Sequence, residues 1–245
     1  FIIGMALAVL LEMLQDAVRT PDDVEHKIGQ RLVGLLPLVK GTEETPFGMR
    51  AFFDKNQHGF GEAVRTMRTS LVMSHLDKPA KVFSATSSVP GEGKTTVSEN
   101  LAFSLGQMEN VVLIDADMRR PSIGKNFGLP AYHPGLSNLI TGSAELEECV
   151  HKDEQSGIDV IPAGLVPPNP QELLASKAFE NLLGALKEKY DKVIIDTAPT
   201  QAVSDALIVS KFVDSMLYVV KTESTRQKLV KNGIGRLVQV GAKID

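Results

Sequence analysis

Three short polar segments carry the residue types that phosphate and magnesium chemistry needs. They are the glycine-rich loop 88–95, the acidic segment 115–119 and the aspartate Asp196, and each follows an apolar run. Each segment alone is a common pattern. At the ends of successive strands they predict one shared site, because parallel sheets bind ligands at the carboxyl ends of their strands. The chemistry that this combination suits is ATP binding, magnesium binding and phosphoryl transfer.

The glycine-rich loop fits the phosphate-binding pattern, with Ser88 where glycine usually comes first. Its glycines let the backbone curl and direct successive N–H groups at phosphate oxygens, and the helix that follows adds its positive end. Lys94 supplies a positive charge for the β- and γ-phosphates, and the Thr95 hydroxyl can bind Mg²⁺. The predicted phosphate contacts are Ser88, Pro90, Gly91, Glu92, Gly93, Lys94, Thr95 and Thr96.

Carboxylates follow two later apolar runs. Asp115 and Asp117 face the same side of an extended chain, so both can converge with Asp196 on the metal and phosphate region. One would help to hold Mg²⁺ while another accepts a proton from the attacking hydroxyl, and the sequence does not assign these roles. Arg119 or Arg120 would stabilise the transferred phosphate or pair with these acids. The predicted metal ligands are Thr95, Asp115, Asp117 and Asp196. The predicted catalytic residues are Lys94, Asp115, Asp117, Arg119 and Asp196.

Apolar strands and helices alternate along the chain after residue 60. Strands are predicted at 81–87, 111–116, 158–162, 192–196 and 215–221. Helices are predicted at 60–76, 95–108, 136–141, 144–151, 170–189, 204–212 and 225–240. The strands are continuous apolar runs, which is typical of strands covered on both faces. The pattern predicts an α/β fold resembling P-loop NTPases, with a mostly parallel central sheet and helices on both faces.

The N-terminal region is apolar but short. Residues 1–11 carry no charge, whereas a bilayer-spanning helix needs about 20 apolar residues. They are either the cytoplasmic end of a transmembrane helix, which we favour, or an amphipathic helix packed on the domain. The predicted division is a transmembrane or juxtamembrane helix at 1–18, a juxtamembrane segment and linker at 19–59, and an ATP-binding domain at 60–245. A further strand is expected to begin at 242–245, with a C-terminal tail beyond it.

The net charge and the cysteine content limit the classes of ligand and the cellular compartment that we expect. The formal net charge of −4 gives no reason to expect nucleic acid as a ligand. The single cysteine, Cys149, cannot form an intrachain disulfide, which is consistent with a reducing compartment. Glu62, Arg65 and Arg68 share one helix face, and composition alone favours an exposed face with a local ion pair.

Several of these segments together make the chain resemble the cytoplasmic kinase domain of the bacterial tyrosine kinases of polysaccharide copolymerases. The similar segments are 62–68, 90–95, 115–121, 161–174 and 196–199, within a resemblance that covers about 7–245. The resemblance implies a protein tyrosine autokinase that uses ATP and Mg²⁺ and regulates capsule or exopolysaccharide polymerisation and export. It also implies a location at the cytoplasmic face of the bacterial inner membrane, with the N-terminal helix in the membrane.

The resemblance also changes the interpretation of the helix face. It implies that Glu62, Arg65 and Arg68 mediate self-association in a ring, expected to be an octamer, in which one subunit phosphorylates its neighbour's tyrosine-rich tail. The chain departs from the family's pattern in two ways. Val64 stands where a tyrosine is common, and the C-terminal tyrosine cluster is not in this sequence, whose tyrosines are Tyr132, Tyr190 and Tyr218.

Two other functions remain open from the sequence. One is an ATPase switch similar to MinD and ParA, acting without phosphorylating a protein. Those proteins carry an extra lysine five positions before the loop lysine, where this chain has Val89, so the kinase is favoured. The other is a chain-length regulator whose nucleotide domain only assembles. The intact set of charged site residues disfavours that second alternative.

Overall fold

A six-stranded sheet positions the predicted site residues. The computed structural model describes residues 16–39 and 49–245. The strands are β1 (Val82–Ser87), β2 (Val111–Asp115), β3 (His151–Lys152), β4 (Asp159–Ile161), β5 (Lys192–Asp196) and β6 (Ser215–Val219). Their order across the sheet is β3-β4-β2-β5-β1-β6, and every pair is parallel except β3 with β4. The predicted mostly parallel α/β architecture is confirmed.

Helices connect these strands. They are α1 (His58–Met73), α2 (Lys94–Gly106), α3 (Ile123–Asn126), α4 (Leu136–Thr141), α5 (Leu146–Cys149), α6 (Pro170–Leu174), α7 (Lys177–Lys189), α8 (Asp205–Val209) and α9 (Gln227–Gln239). A short 3₁₀ turn, Lys55–Gln57, precedes α1, and a π-helical segment, Asp23–Ile28, lies near the N-terminus.

The sheet is covered on both faces, as the uninterrupted apolar strands predict. Successive side chains of a strand point to opposite faces, so Phe83 belongs to the core under α1 and α2, whereas its neighbour Val82 belongs to the core under α4 and α7. Leu113 and Val112 divide in the same way on β2. The phosphate loop therefore sits on a strand whose two faces are both buried.

One predicted helix is in fact two. The expected helix 170–189 is interrupted between α6 and α7, because Ser176 ends the first and begins the second. The Ser176 backbone N–H donates to Leu173 O at 3.1 Å, and its hydroxyl accepts from Phe179 N at 3.2 Å. Serine is a favoured residue for capping a helix N-terminus, so the local chemistry explains the break.

Two small elements were not predicted from the sequence. The helix expected at 144–151 ends at Cys149, and His151 joins the edge strand β3 instead. The short helix α3 was also missed. Elements of this length carry too few residues to show a hydrophobic period. The helix α4, in contrast, has the bounds that were predicted.

The N-terminal segment packs on the domain where it is described. Ala17 forms an antiparallel bridge with Arg226, and Val18 is buried against Val230 and Ile234. Residues 16–18 of the predicted helix 1–18 are thus extended, and the rest of that prediction lies outside the described residues. In the described part of the chain, we find no helix with both the length and the apolar character to span a bilayer.

The predicted linker 19–59 contributes to the core. Thr20 caps the following turn, because its hydroxyl accepts from Asp23 N at 3.2 Å. Residues 32–39 form neither helix nor strand, and Gly34 lies close to Met67 of α1. Phe52 is buried in the same cluster as Phe60. The domain boundary at residue 60 stays a prediction.

An isolated bridge lies where a further strand was expected to begin. Ile244 forms a parallel bridge with Met216 of β6. The backbone hydrogen bonds on both sides of it are 2.9 Å from Met216 N to Lys243 O and 2.8 Å from Asp245 N to Met216 O.

Candidate active site

The carboxyl ends of β2, β5 and β1 lie side by side and bring the three predicted segments together. Asp115 is directly opposite Asp196 in the register of β2 and β5, and Ala85 of β1 is opposite Asp196 on its other side. Because the phosphate loop leaves β1 two residues later, the loop and both carboxylates meet at one edge. The tertiary structure therefore gathers residues that are about 100 positions apart in sequence.

Lys94 lies at the centre of this edge. Its Nζ is 3.0 Å from Asp117 Oδ2 and 3.0 Å from Asp196 Oδ2. Burial opposes the positive charge, but the two carboxylates outweigh it and raise the pKa of the Lys94 ammonium above its usual value. The lysine is therefore positively charged at neutral pH.

Asp196 is fully buried and accepts hydrogen bonds through both carboxylate oxygens. Thr95 Oγ1 donates to its Oδ2 at 2.7 Å, and Ser98 Oγ donates to its Oδ1 at 3.0 Å. Ser98 was not predicted as a site residue. Its spacing of four from Lys94 on α2 places both on one helix face, which is the signal that the sequence offered.

Asp115 and Asp117 have different surroundings. Asp115 is fully buried, and its carboxylate accepts from the backbone N–H groups of Asp117 at 3.1 Å, Ser122 at 3.0 Å and Ile123 at 3.0 Å. Burial and the charge of Asp196 raise the pKa of Asp115 to about 7. Asp117 contacts Lys94 and accepts from Arg120 N at 3.2 Å. The hydrogen bonds to Asp115 thus hold the following segment in a conformation that brings Asp117 to Lys94.

Arg119 does not pair with the acids that the sequence suggested. Its Nε donates to Asp205 Oδ2 at 3.1 Å, and Asp205 is fully buried at the start of α8. Of the two expected roles of Arg119, the pairing with Asp115 or Asp117 is not formed, because the side chain turns toward the segment after β5; stabilisation of phosphate stays a prediction. Asp205 was missed, since it lies outside the three motifs and its partner is 86 positions away.

The phosphate loop has the backbone conformation that its glycines allow. Gly91 and Gly93 have φ values of 86° and 92°, in the left-handed region that side chains disfavour. Pro90 and Gly91 are exposed at the tip, whereas Lys94, Thr95 and Thr96 are half-buried at the start of α2. The backbone of this region can therefore meet a phosphate from outside.

Glu92 is turned inward from the loop. Its carboxylate accepts from Val89 N at 2.8 Å, from Lys221 N at 3.2 Å and from the Thr225 hydroxyl. Any contact of Glu92 with phosphate would therefore come from its backbone. The side chain instead links the phosphate loop to the segment between β6 and α9.

Hydrogen bonds among Ser88, Tyr218 and Thr200 hold the beginning of the phosphate loop. Ser88 is buried, and its Oγ is 3.0 Å from Tyr218 Oη, which is also 3.0 Å from Thr200 Oγ1. The Gly233 Cα lies so near this hydroxyl that a Cβ there would be 1.9 Å from Tyr218 Oη. The Ser88 hydroxyl therefore forms a hydrogen bond that holds the start of the loop, and a glycine at this position could not form it.

A cavity of about 310 Å³ lies beside the loop. Gly93 and Thr96 line it from the loop side, and Ile28, Leu36 and Lys221 line it from the N-terminal segment and the end of β6. Its walls are mostly apolar, as is common in sites for small organic ligands.

Candidate metal ligands are oxygen atoms. Thr95 Oγ1, Asp117 Oδ2 and Asp196 Oδ2 surround Lys94 Nζ within 3.3 Å. Across residues 16–39 and 49–245, no group of three or more His, Cys, Asp or Glu is arranged to hold a metal ion. Two carboxylates and a hydroxyl suit Mg²⁺, which keeps several waters and shares its coordination with phosphate oxygens.

The predicted interface residues lie on α1 and make contacts within the chain. Arg65 Nη1 is 2.5 Å from Glu62 Oε1, and its guanidinium lies 5.0 Å from the centre of the Phe52 ring. Arg68 Nη1 donates to Ser104 O at 2.7 Å, near the end of α2. The structure does not bring these residues to the phosphate site.

Comparison with known proteins identifies the family. A family model described as an AAA domain matches residues 80–244. The tyrosine-protein kinase YwqD of Bacillus subtilis is 36% identical over 68% of this chain and 70% of its own length. The kinase domain of Escherichia coli tyrosine kinase ETK has 33% identity and a TM-score of 0.83, covering 93% of this chain and 92% of that one.

The chain belongs to the bacterial tyrosine kinases. Its similarity to the VpsO kinase domain is 44% identity with a TM-score of 0.72 over 79% of this chain. The tyrosine-protein kinase ptk of Acinetobacter johnsonii is 31% identical over 99% of this chain, which spans about a third of that relative. A Borrelia burgdorferi plasmid partition protein, at 19% identity and a TM-score of 0.55, shares the fold alone.

Proposed function

We propose that this chain is the ATP- and Mg²⁺-dependent catalytic domain of a protein tyrosine kinase. The observation that carries the proposal is the meeting of Lys94 with Asp117 and Asp196 at one sheet edge, beside the phosphate loop. A positive charge, a hydroxyl and two carboxylates are the groups that phosphoryl transfer requires. Membership of the tyrosine kinase family supports the choice of a tyrosine hydroxyl as acceptor.

The loop and its lysine would bind the triphosphate. Backbone N–H groups of residues 90–95 would surround the β-phosphate, and Lys94 would leave its carboxylate partners to contact the β- and γ-phosphates. Thr95 and Asp196, with one of Asp115 and Asp117, would hold Mg²⁺, which neutralises charge on the transferred group when bound. The adjacent cavity would receive the base and ribose, since Gly93 and Thr96 line both the loop and the cavity.

The acceptor step balances with these groups alone. The tyrosine Oη attacks the γ-phosphorus, the bond from that phosphorus to the β–γ bridging oxygen breaks, and ADP leaves. The phenolic proton passes to Asp115 or Asp117. Two variants separate them, because Asp→Asn at the metal ligand changes the Mg²⁺ concentration needed for half activity, whereas Asp→Asn at the proton acceptor lowers kcat without that change.

We propose further that the whole protein assembles through α1 and acts at the inner face of a bacterial membrane. A heterologous ring, with the octamer as our expectation, would bring a neighbour's tyrosine-rich tail to this site. The polysaccharide export role is likewise proposed from the family. Glu62, Arg65 and Arg68 support the assembly only through their resemblance to the family's interface helix.

The kinase and the ATPase switch differ in one measurable product. The purified chain would be incubated with Mg-ATP and a random Glu-Tyr copolymer, and both phosphotyrosine and ADP would be measured. We expect phosphotyrosine on the copolymer from the parent chain and none from Lys94→Met. ADP release without phosphotyrosine on any acceptor would overturn the kinase and favour the switch.

A further inference from the structure

We propose that Tyr132 is a phosphorylation site, modified by a second copy of this chain. The inference rests on the proposed kinase function and adds an acceptor that lies inside the domain itself. It concerns a loop between α3 and α4, outside all three motifs of the phosphate site.

The three tyrosines of the chain have different environments. Tyr190 is buried, and its hydroxyl donates to Asp159 Oδ2 at 2.6 Å. The Tyr218 hydroxyl lies between Ser88 and Thr200 behind the phosphate loop. Tyr132, in contrast, is 81% exposed. Phosphorylation requires the hydroxyl to enter another active site, so Tyr132 alone of these three meets that requirement in the folded chain.

The backbone presents Tyr132 at the tip of a turn. His133 N donates to Pro130 O at 2.9 Å, so Ala131 and Tyr132 are the two central residues of a four-residue turn. Pro130 restricts the backbone before the tyrosine, which lowers the entropy that is lost when the turn enters a binding site.

Both ends of this turn are anchored. Leu129 N donates to Gly124 O at 2.9 Å on one side. On the other side, Gly135 packs so tightly on the end of β4 that a Cβ there would lie 2.0 Å from Pro162 O. The turn therefore projects as a fixed unit from the carboxyl side of the sheet.

The anchored position of the turn favours transfer between two chains. The turn is tied to the end of β4, and β2 and β5 separate β4 from β1, where the phosphate loop begins. Neighbouring strands are about 4.8 Å apart, so the two points are roughly 14 Å apart across the sheet. The turn therefore stays on the β4 side of the sheet, away from the phosphate loop, and in the proposed reaction a second copy supplies the ATP.

The reaction is the one already proposed, with Tyr132 Oη as the nucleophile. The oxygen forms a bond to the γ-phosphorus of ATP held by the other copy, and ADP leaves with the electrons of the broken bond. The phenolic proton goes to a carboxylate of that copy. A doubly charged phosphate then stands on an exposed turn, where water and cations can solvate it.

The test uses the intact chain and mass spectrometry. After incubation with Mg-ATP, trypsin releases residues 126–152 as one peptide that contains Tyr132 as its sole tyrosine. We expect phosphate on Tyr132, and a fall of self-phosphorylation on tyrosine by at least about tenfold in Tyr132→Phe. Tyr190→Phe is the matched control and should retain the signal of the parent chain.

A mixing experiment tests transfer between chains. Lys94→Met, which keeps Tyr132, would be mixed with active Tyr132→Phe, and we expect phosphotyrosine on the inactive chain. Phosphorylation of the Glu-Tyr copolymer with Tyr132 unmodified would overturn this inference and leave the proposed function standing. Modification of Tyr132 in the parent chain but not in the mixture would overturn the transfer between chains. An inactive parent chain on both acceptors would overturn the proposed function as well.

Discussion

The phosphate site and the charged face of α1 are built in opposite ways. The site joins Lys94, Asp117 and Asp196 from three separate segments, and all three side chains are nearly buried. On α1, Glu62 and Arg65 are three positions apart in one helix, and both are largely exposed. Charges that are brought together from distant strands lose their hydration, and this costs free energy that their ion pairs and hydrogen bonds must offset.

The difference shows what a single chain can reveal. A buried cluster of charged residues from distant segments indicates a chemical function even when only one copy of the chain is known. The reason is that neighbouring positions in the sequence do not bring those residues together. Residues three positions apart on a helix are in contact whatever their function. An exposed ion pair of this kind contributes only about 0.3–0.5 kcal/mol to stability. A role for α1 in assembly therefore has to be tested with a second copy, whereas the site can be tested in one.

The strongest test of the convergent site is Asp196→Asn. We expect the kinase rate to fall by roughly 10²–10³-fold, because the variant removes a charge beside both Lys94 and the proposed Mg²⁺. Initial rates on the Glu-Tyr copolymer would measure it. Ser98→Ala, which removes only the hydrogen bond to Asp196 Oδ1, is the matched control and should lose far less activity. Equal losses would show that the charge of Asp196 has no special role.

Burial in the site also predicts a pH dependence of stability. Glu99 is buried on α2, and burial together with the charges of Asp196 and Asp115 raises its pKa from 4.5 to about 8. The folded state therefore favours the protonated acid, so its contribution to stability is complete below pH 4.5 and is lost as the pH rises through about 8.

Glu99→Gln removes that titration. We expect the variant to gain a few kcal/mol in the free energy of unfolding relative to the parent between pH 5 and pH 9, at about 1.4 kcal/mol for each pKa unit. Urea titrations at several pH values would measure the gain. Ser104→Ala, a change without an ionisable group on the same helix, should shift stability equally at every pH. Parallel pH profiles for Glu99→Gln and the parent would contradict the expectation.

The inward carboxylate of Glu92 extends the comparison between distant and local contacts to the phosphate loop itself. Glu92→Ala frees the phosphate loop from Lys221 and Thr225, so we expect ATP affinity to weaken by about tenfold, since each lost hydrogen bond to a charged group costs about 1.5 kcal/mol or more. The measurement is a titration with a fluorescent ATP analogue. Thr225→Val should weaken binding in the same direction, whereas Thr225→Ser should restore it because the hydroxyl remains. Unchanged affinity in Glu92→Ala would remove the proposed support of the loop.

The smallest effect on the isolated chain is expected at α1. Arg65→Ala with Arg68→Ala loses the exposed ion pair and the hydrogen bond to Ser104 O, about 1 kcal/mol of stability in total. If α1 is an interface, the mass of the assembled protein in sedimentation should fall while activity on the copolymer persists. Glu62→Gln, a change of the same exposed pair without loss of volume, would show whether charge or shape matters. Unchanged sedimentation would return these residues to a role within the chain.

Much of the fold could be predicted because its signals are local. Uninterrupted apolar runs gave five of the strands within about two residues, and the glycine-rich loop with its lysine needed no tertiary information. The break at Ser176 and the two-residue strand β3 were missed, since a cap and an edge strand show little hydrophobic period. In the site, Ser98 and Asp205 were missed because each acts on a partner at least 86 positions away.

The sequence by itself determined which residues are candidates for binding phosphate and metal, because glycine spacing, one lysine and strand-terminal aspartates are local features of the chain. Only the tertiary structure decided which contacts each of these residues makes. It directed Asp115 to backbone N–H groups and Asp117 to Lys94, and it turned the Glu92 side chain inward, toward Lys221 and Thr225. It also left Tyr132 exposed, buried Tyr190 and placed the half-buried Tyr218 hydroxyl between Ser88 and Thr200. The reason is physical: burial and charge pairing depend on which segments the sheet order brings together, and one strand cannot specify its neighbours.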